Sequence, residues 1–418
     1  MPHTLHATSS TSLGTADGTY IYALASASSD ILGATSSDNS LRLFSASTLA
    51  ARGSVARAHD DHSITCLVRV GENVLATAGR DGCVRVWDVR DGGAKAAGVY
   101  KSETGASVLS LAVSEGAGVV AAGTELVGSI ARVVIWYGYL FSPPRGPLLK
   151  VPEHISKTYR DLRTASVKAQ YTESHNDDIT ALSFHPTAPH LLLSGATDAL
   201  VNIYNLLTPP STTTTAATDT DDDTALHQVI NHGSSIHRAG FLGTDVYALS
   251  HDEQLAMYAV VEEVPEDTER APETAECKQW GDVRGLLGCE YVVDVMENSS
   301  GGVVVAGSHS GHWVDLVPLR KAGAGIEGWG MLRDEGMRLH GGHGGEVMRG
   351  VWVDEGTGTI YTAGEDGLVK VWRAPAEMVE VVEVTAKREK REKREKRTKE
   401  ERRERREKKE AKARFRPY

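Results

Sequence analysis

Three histidine–aspartate pairs stand at nearly the same separation along the chain: His59 and Asp81, His175 and Asp198, His343 and Asp366. A histidine ring held by a carboxylate is the working part of a proton relay, and the same residue types ligate metals. Either chemistry needs a further group, a nucleophile or another ligand, at the same spot. What accompanies each pair is a hydroxyl four residues before the aspartate and an aromatic residue six after it: Thr77 and Trp87, Ser194 and Tyr204, Thr362 and Trp372. The set repeats with the chain's own period, so the pairs fall in separate units, and a structural role accounts for them better than catalysis or metal binding.

Other catalytic candidates fail on context. The glycine-rich LHGGHGG stretch around His340 and His343 is not followed by Gly-Lys-Ser/Thr, and reads as a turn entering a strand. The four cysteines, Cys66, Cys83, Cys277 and Cys289, lack CxxC spacing and read as small buried thiols of a reducing compartment. The expectation is a protein that is not an enzyme and carries no cofactor or metal.

The elements that must position these residues are short strands. Ile64 to Asp88, ITCLVRVGENVLATAGRDGCVRVWD, holds three apolar runs with an Asp-Gly between the second and third. That dipeptide supplies the positive φ angles of a tight hairpin. One small sheet cannot bury both faces, so the unit must recur. It does so seven times: Tyr20–Phe44, His59–Asp88, Val108–Trp136, His175–Asn205, Leu226–Val260, Val283–Leu319 and His343–Trp372. Insertions interrupt the series at 137–172, read as a proline-containing loop with a helical turn, at 207–225 (TPPSTTTTAATDTDDDT), and at 261–280.

Composition agrees with turn-rich β structure: 42 glycines among 418 residues, with abundant Val, Ala and Thr. No apolar run nears the roughly 20 residues needed to cross a bilayer, and the N-terminus lacks a secretion signal, so a soluble intracellular protein is expected. Charge is split. Residues 387–418 hold 18 Lys+Arg and 8 Glu, a net +10 against −11 for the whole chain, which leaves −21 on residues 1–386. Glu389–Lys393 and Glu392–Lys396 support a helix in this tail by roughly 0.3–0.5 kcal/mol per pair. The tail has no apolar a/d seam, so a solvated, fraying helix is expected rather than a coiled coil.

The His…Asp…Trp-Asp repeat at about 40 residues resembles WD-repeat (WD40) β-propellers. Segments such as SLGTADGTYIYAL, GTELVG, LSHDEQLAMYAV, DVRGLL and LHGGHGGEV resemble the WD repeat-containing protein 89 family. The resemblance implies an all-β, seven-bladed propeller over 1–376 with a charged, helical or disordered tail over 377–418. It implies that the four recurring residues form a buried relay in each blade, where an unsatisfied His or Asp would cost about 1–3 kcal/mol. It also implies closure of the ring by the first strand, from about Leu5 to Ser12, lending itself to the last blade.

Propellers bind partners chiefly on the face where the residue before each turn aspartate projects. Here those residues are Ser37, Arg80, Thr197, His251 and Glu365. The expected function is a protein–protein interaction scaffold in the nucleus or nucleolus, with the cytoplasm as the alternative. Its acidic body would attract basic clients such as ribosomal proteins or histones. Nucleic acid contact is expected only through the tail, membrane contact not at all, and the propeller is expected as a monomer within a complex. The alternative is a substrate receptor docking on a cullin-type ubiquitin ligase adaptor through Trp87-Asp88-Val89-Arg90.

Overall fold

In a computed structural model of the chain, the described residues are 3–373 except 91, 93–95, 103, 116, 138–166, 208–224 and 262–275. The tail, and with it the expected helix over 387–412, lies outside the described residues. Strands dominate, and five four-stranded sheets follow the sequence order strictly. Blade 1 is Ile21–Ser26, Ile31–Ser36, Leu41–Ser45 and Ala51–Val55; blade 2 is Ile64–Gly71, Val74–Gly79, Cys83–Asp88 and Ala96–Lys101. Blade 3 is Val108–Ser114, Val119–Thr124, Val133–Tyr137 and Val167–Tyr171, and blade 4 is Ile179–Phe184, Leu191–Ala196, Leu200–Asn205 and Leu226–Asn231. Blade 5 is Ile236–Leu242, Asp245–Ser250, Gln254–Ala259 and Cys277–Asp282.

Two more blades share one nine-stranded sheet. Blade 6 is Tyr291–Asn298, Gly301–Ser308, Trp313–Lys321 and Met337–His340, with Trp329–Met331 also pairing to its third strand. Blade 7 is Met348–Asp354, Thr359–Gly364 and Val369–Trp372, completed by His3–Thr11 from the N-terminus. That strand does double duty. His3–His6 runs parallel to Met337–His340 of blade 6, and Ala7–Thr11, with a bulge between Ala7 and Ser9, runs antiparallel to Val369–Trp372 of blade 7. It removes one exposed edge from each blade, and Leu5 is buried beneath it. The result is a seven-bladed β-propeller.

Two of the expected insertions contain strands. Val167–Tyr171 lies within 137–172 and Cys277–Asp282 starts within 261–280 and runs past it, and each is the fourth strand of its blade. A blade left at three strands would expose the backbone of its third, so the chain returns to pair whatever the loop length. Most of 207–225 lies outside the described residues, although Ala225 is fully buried. The Asp-Gly turns also differ from expectation: Gly82 and Gly367 have positive φ, whereas Asp81 and Asp366 do not. The turn closes through Gly82 N–H to Gly79 O, and the Asp81 carboxylate caps Cys83 N–H.

The core lies between blades rather than within them. Ile21, Leu32 and Phe44 of blade 1 pack on Tyr361, Val369 and Val371 of blade 7. Leu41 and Leu43 of blade 1 meet Leu67, Leu75 and Trp87 of blade 2. Further clusters join blades 2 with 3, 3 with 4, 4 with 5, and 5 with 6. Stability is thus a chain of nearest-neighbour contacts that the N-terminal strand closes. The residues Val353–Thr359 group apart from this unit; there Asp354 accepts from Gly356 N–H and Thr357 Oγ1 and holds a turn.

Candidate functional site

The recurring His, Asp, Thr and Trp meet inside their blades. In blade 2, Trp87 Nε1 lies 2.9 Å from Thr77 Oγ1, Thr77 Oγ1 lies 2.8 Å from His59 Nε2, and His59 Nδ1 lies 2.8 Å from Asp81 Oδ1. Chemistry fixes the direction. The carboxylate can only accept, so His59 Nδ1 donates to Asp81; the indole N–H can only donate, so Thr77 accepts from Trp87, and its own O–H is left to donate to His59 Nε2 where burial disfavours a proton on both ring nitrogens. Both ring nitrogens are consumed. Burial pushes the His59 imidazole below its ordinary value against the pull of Asp81. Burial also works against the Asp81 carboxylate, but hydrogen bonds from His59, Cys83 N–H and Arg85 outweigh it and hold it low.

Blade 7 repeats the chain through Trp372, Thr362, His343 and Asp366 at 3.0, 2.8 and 2.7 Å, with Lys370 in the place of Arg85. Blade 4 substitutes Ser194 and Tyr204, with His175 at 2.6 Å from Ser194 and 3.0 Å from Asp198. Glycine is required beside this relay: a Cβ on Gly79 would lie 2.3 Å from His59 Nδ1 and 2.9 Å from Asp81 Oδ1. Blade 5 has lost the hydroxyl to Ala248, and there His232 bonds Tyr258 and the Gln254 carbonyl instead. These groups have nothing left over for catalysis.

The residues preceding the turn aspartates gather on one end of the ring. Ser37, Arg80, Thr197, His251 and Glu365 each send their backbone N–H to a carbonyl just before the first strand of their own blade: Tyr20, Ser63, Asp178, Ser235 and Val347. Their side chains make local pairs. Arg80 lies 3.8 Å from Glu125, His251 Nδ1 lies 3.3 Å from His237 Nδ1, and Glu365 accepts from Arg349 at 2.7 Å. Glu125 and His309 occupy the same position in blades 3 and 6. The sequence hid them because neither is followed by a turn aspartate.

Between these turns opens a cavity of about 300 Å³, lined by the first strands of all seven blades. A bulge near the start of these strands, at Tyr22, Thr65, Leu109, Thr180, His237 and Val293, shifts the register of the residues that follow. Thr65 and Thr180 use it to bond the next blade's backbone, at Val108 O and Ile236 O, both at 2.6 Å. Tyr20 and Tyr22 are 40% and 37% exposed and pack edge to face beside it. Cys66 lines the cavity, and burial pushes its thiol up to about 11, far from thiolate reactivity. The thiols are not uniformly buried as expected, since Cys277 is exposed and Cys66 half-buried.

Arg90 is at the other end. Val89 N–H bonds Asn73 O in the turn between the first two strands of blade 2, opposite the turn that carries Arg80. Its guanidinium and backbone N–H both bond Asp88. Asp282-Val283-Arg284 repeats this arrangement at the start of the α-helix Val283–Leu287, with the same backbone and side-chain bonds. In both, the valine is buried. The Asp-Val-Arg geometry is therefore turn chemistry that the fold uses twice.

The family model for the WD domain, G-beta repeat (WD40) matches residues 53–88 and 167–205, which bracket the relays of blades 2 and 4. Those two segments are WD40 repeats. It is 30% identical over 257 residues to a WD repeat-containing protein of Saccharomyces cerevisiae, covering 61% of this chain and 54% of that one. A WD repeat-containing protein of Schizosaccharomyces pombe is 29% identical over 372 residues, 88% of this chain and 99% of the relative. The WD repeat-containing protein 89 homolog of Dictyostelium discoideum is 28% identical over 135 residues, 31% and 34% of the two chains. The match thus spans about half the length of the first relative and nearly all of the second. WD-repeat proteins generally act as protein-interaction scaffolds and are typically non-catalytic. Among the described residues no helix is long and apolar enough to cross a membrane.

Proposed function

We propose that this WD-repeat protein is a non-enzymatic scaffold that docks its partners on the channel-mouth end of the propeller, in the nucleus. The observation that carries the reading is the division of labour among polar residues. The relay histidines and aspartates are spent inside the blades, whereas Tyr22 and Arg349 line one opening, and Arg80, His251, His237 and Tyr20 stand on the turns and strand starts at the same end. Tyrosine and arginine are the residue types that anchor protein interfaces. The −21 body would draw basic clients such as ribosomal proteins or histones by long-range attraction, and the +10 tail would serve as the localisation signal.

Affinity purification of the full chain at low and raised salt tests this. The expected result is recovery of basic nuclear proteins that thins as salt screens the charges. Recovery that ignores salt, or that contains no basic protein, would contradict the client class. Docking on a ubiquitin ligase adaptor would use Arg90, which is 70% exposed at the opposite end. In that case Arg90→Ala abolishes adaptor co-purification and leaves channel-mouth partners bound.

A further inference from the structure

We propose that the channel is an anchor pocket for a carboxamide, the side chain of an asparagine or glutamine on a docking peptide, held by Asp294, Arg238 and Tyr247. The proposal rests on the docking reading above and adds the chemistry of the contact.

The residue after the bulge in the first strands of blades 1 to 6, and Gly350 in blade 7, line the opening. In five blades it is small: Ala23, Cys66, Ser110, Ala181 and Gly350. Blades 5 and 6 break the pattern together, with Arg238 and Asp294. The two face each other across the blade boundary without closing, Arg238 Nε standing 3.9 Å from Asp294 Oδ1. Of the Asp294 carboxylate, Oδ1 accepts the adjacent Val295 N–H, and the remaining capacity faces the cavity.

Tyr247 supplies a third polar group from a second layer. It sits on the second strand of blade 5, paired with Gly240, and its ring lies where a side chain on residue 240 would be: a Cβ there would stand 3.0 Å from Tyr247 Cε1 and 3.2 Å from the hydroxyl. The glycine lets the phenol pass the first strand into the channel lining. Tyr247 is only 8% exposed, and its hydroxyl bonds no described residue. The hydroxyl is therefore open to a group that enters the cavity.

The charge balance selects the ligand. Arg238 faces Asp294, and Arg349 at the mouth is taken by Glu365. A second cation would meet two arginines, and a second anion would meet a carboxylate that burial already disfavours. A carboxamide adds no charge and presents both functions. Its N–H groups donate to Asp294 while its oxygen accepts from Arg238 and the Tyr247 hydroxyl.

Random peptides displayed against the immobilised full chain test this, followed by affinities on purified variants. The expected outcome is convergence on Asn or Gln at one position, with binding lost when that residue becomes Glu or Lys. Tyr247→Phe should weaken the selected peptide by about fivefold, as expected for one hydrogen bond. Its melting temperature should stay unchanged, because the hydroxyl holds nothing within the fold. Convergence on Arg, Lys, Asp or Glu overturns the carboxamide assignment and leaves the docking reading standing. Equal affinity for wild type and Tyr247→Phe, or no selectable peptide, also overturns it.

Discussion

Replacing Thr77 by valine isolates the relay from every other feature of blade 2. The two side chains have nearly the same shape, so no cavity opens, and Thr77 is fully buried, so no water replaces its hydroxyl. The substitution strands the Trp87 N–H and leaves His59 Nε2 without a donor. Each loss costs about 1–3 kcal/mol when the partner stays buried, and the added methyl returns part of it. The expected destabilisation is about 3 kcal/mol, read as a fall in the urea midpoint at constant slope. Thr362→Val in blade 7 should match it, since the distances agree to within 0.1 Å. Thr77→Ser should cost about 1 kcal/mol or less, because the hydroxyl is kept and blade 4 holds its histidine through Ser194. A Thr77→Val loss below about 0.5 kcal/mol would refute the directed relay and reduce these residues to packing.

Further outcomes follow from the same geometry. Removing residues 1–11 deletes the strand shared by blades 6 and 7 together with buried Leu5; a loss of at least about 3 kcal/mol is expected, and an unchanged melting temperature would rule out the closure. Gly79→Ala should abolish the blade 2 relay, seen as loss of the downfield His59 Nδ1 proton signal by NMR, because its Cβ meets the ring at 2.3 Å. Ala199 occupies the left-handed turn position at φ 69 that glycine fills in blades 2 and 7, so Ala199→Gly should gain up to about 1 kcal/mol in the same unfolding assay. Burial holds His59, His185, His232 and His237 below the ordinary histidine value, His237 at about 3. Below pH 6.5 the unfolded chain therefore binds more protons than the native one, and stability falls on acidification. Replacing His237 by phenylalanine should flatten that slope between pH 6.5 and 5; an unaltered slope would contradict its depressed value.

The relays were legible because four residue types recur at matched spacing, and that recurrence separates fold chemistry from a site. The fourth strands of blades 3 and 5 were not. VKAQY and CKQWGD carry little apolar alternation, and they pair because their blades need an edge covered, which is a tertiary demand. The N-terminal strand HTLHATSST is likewise mostly polar; ring closure predicts its partner in blade 7, but nothing local foretells its parallel pairing with blade 6. The channel trio stayed hidden for a different reason. In IHRAGFL simple alternation misplaces Arg238, since the bulge after Ile236 shifts the parity of every residue that follows. Asp294 is displaced by the same device in blade 6. Tyr247 reads as an ordinary core tyrosine until Gly240 is seen to give way to it.

The claim that partners dock at the channel mouth is tested most directly by placing a photo-crosslinking amino acid at His251 in one chain and at Val229, on the outer strand of blade 4 and 54% exposed, in another. Irradiated in cells, the His251 chain should yield discrete protein adducts and the Val229 chain none. Adducts at Val229 with none at His251 would contradict the account.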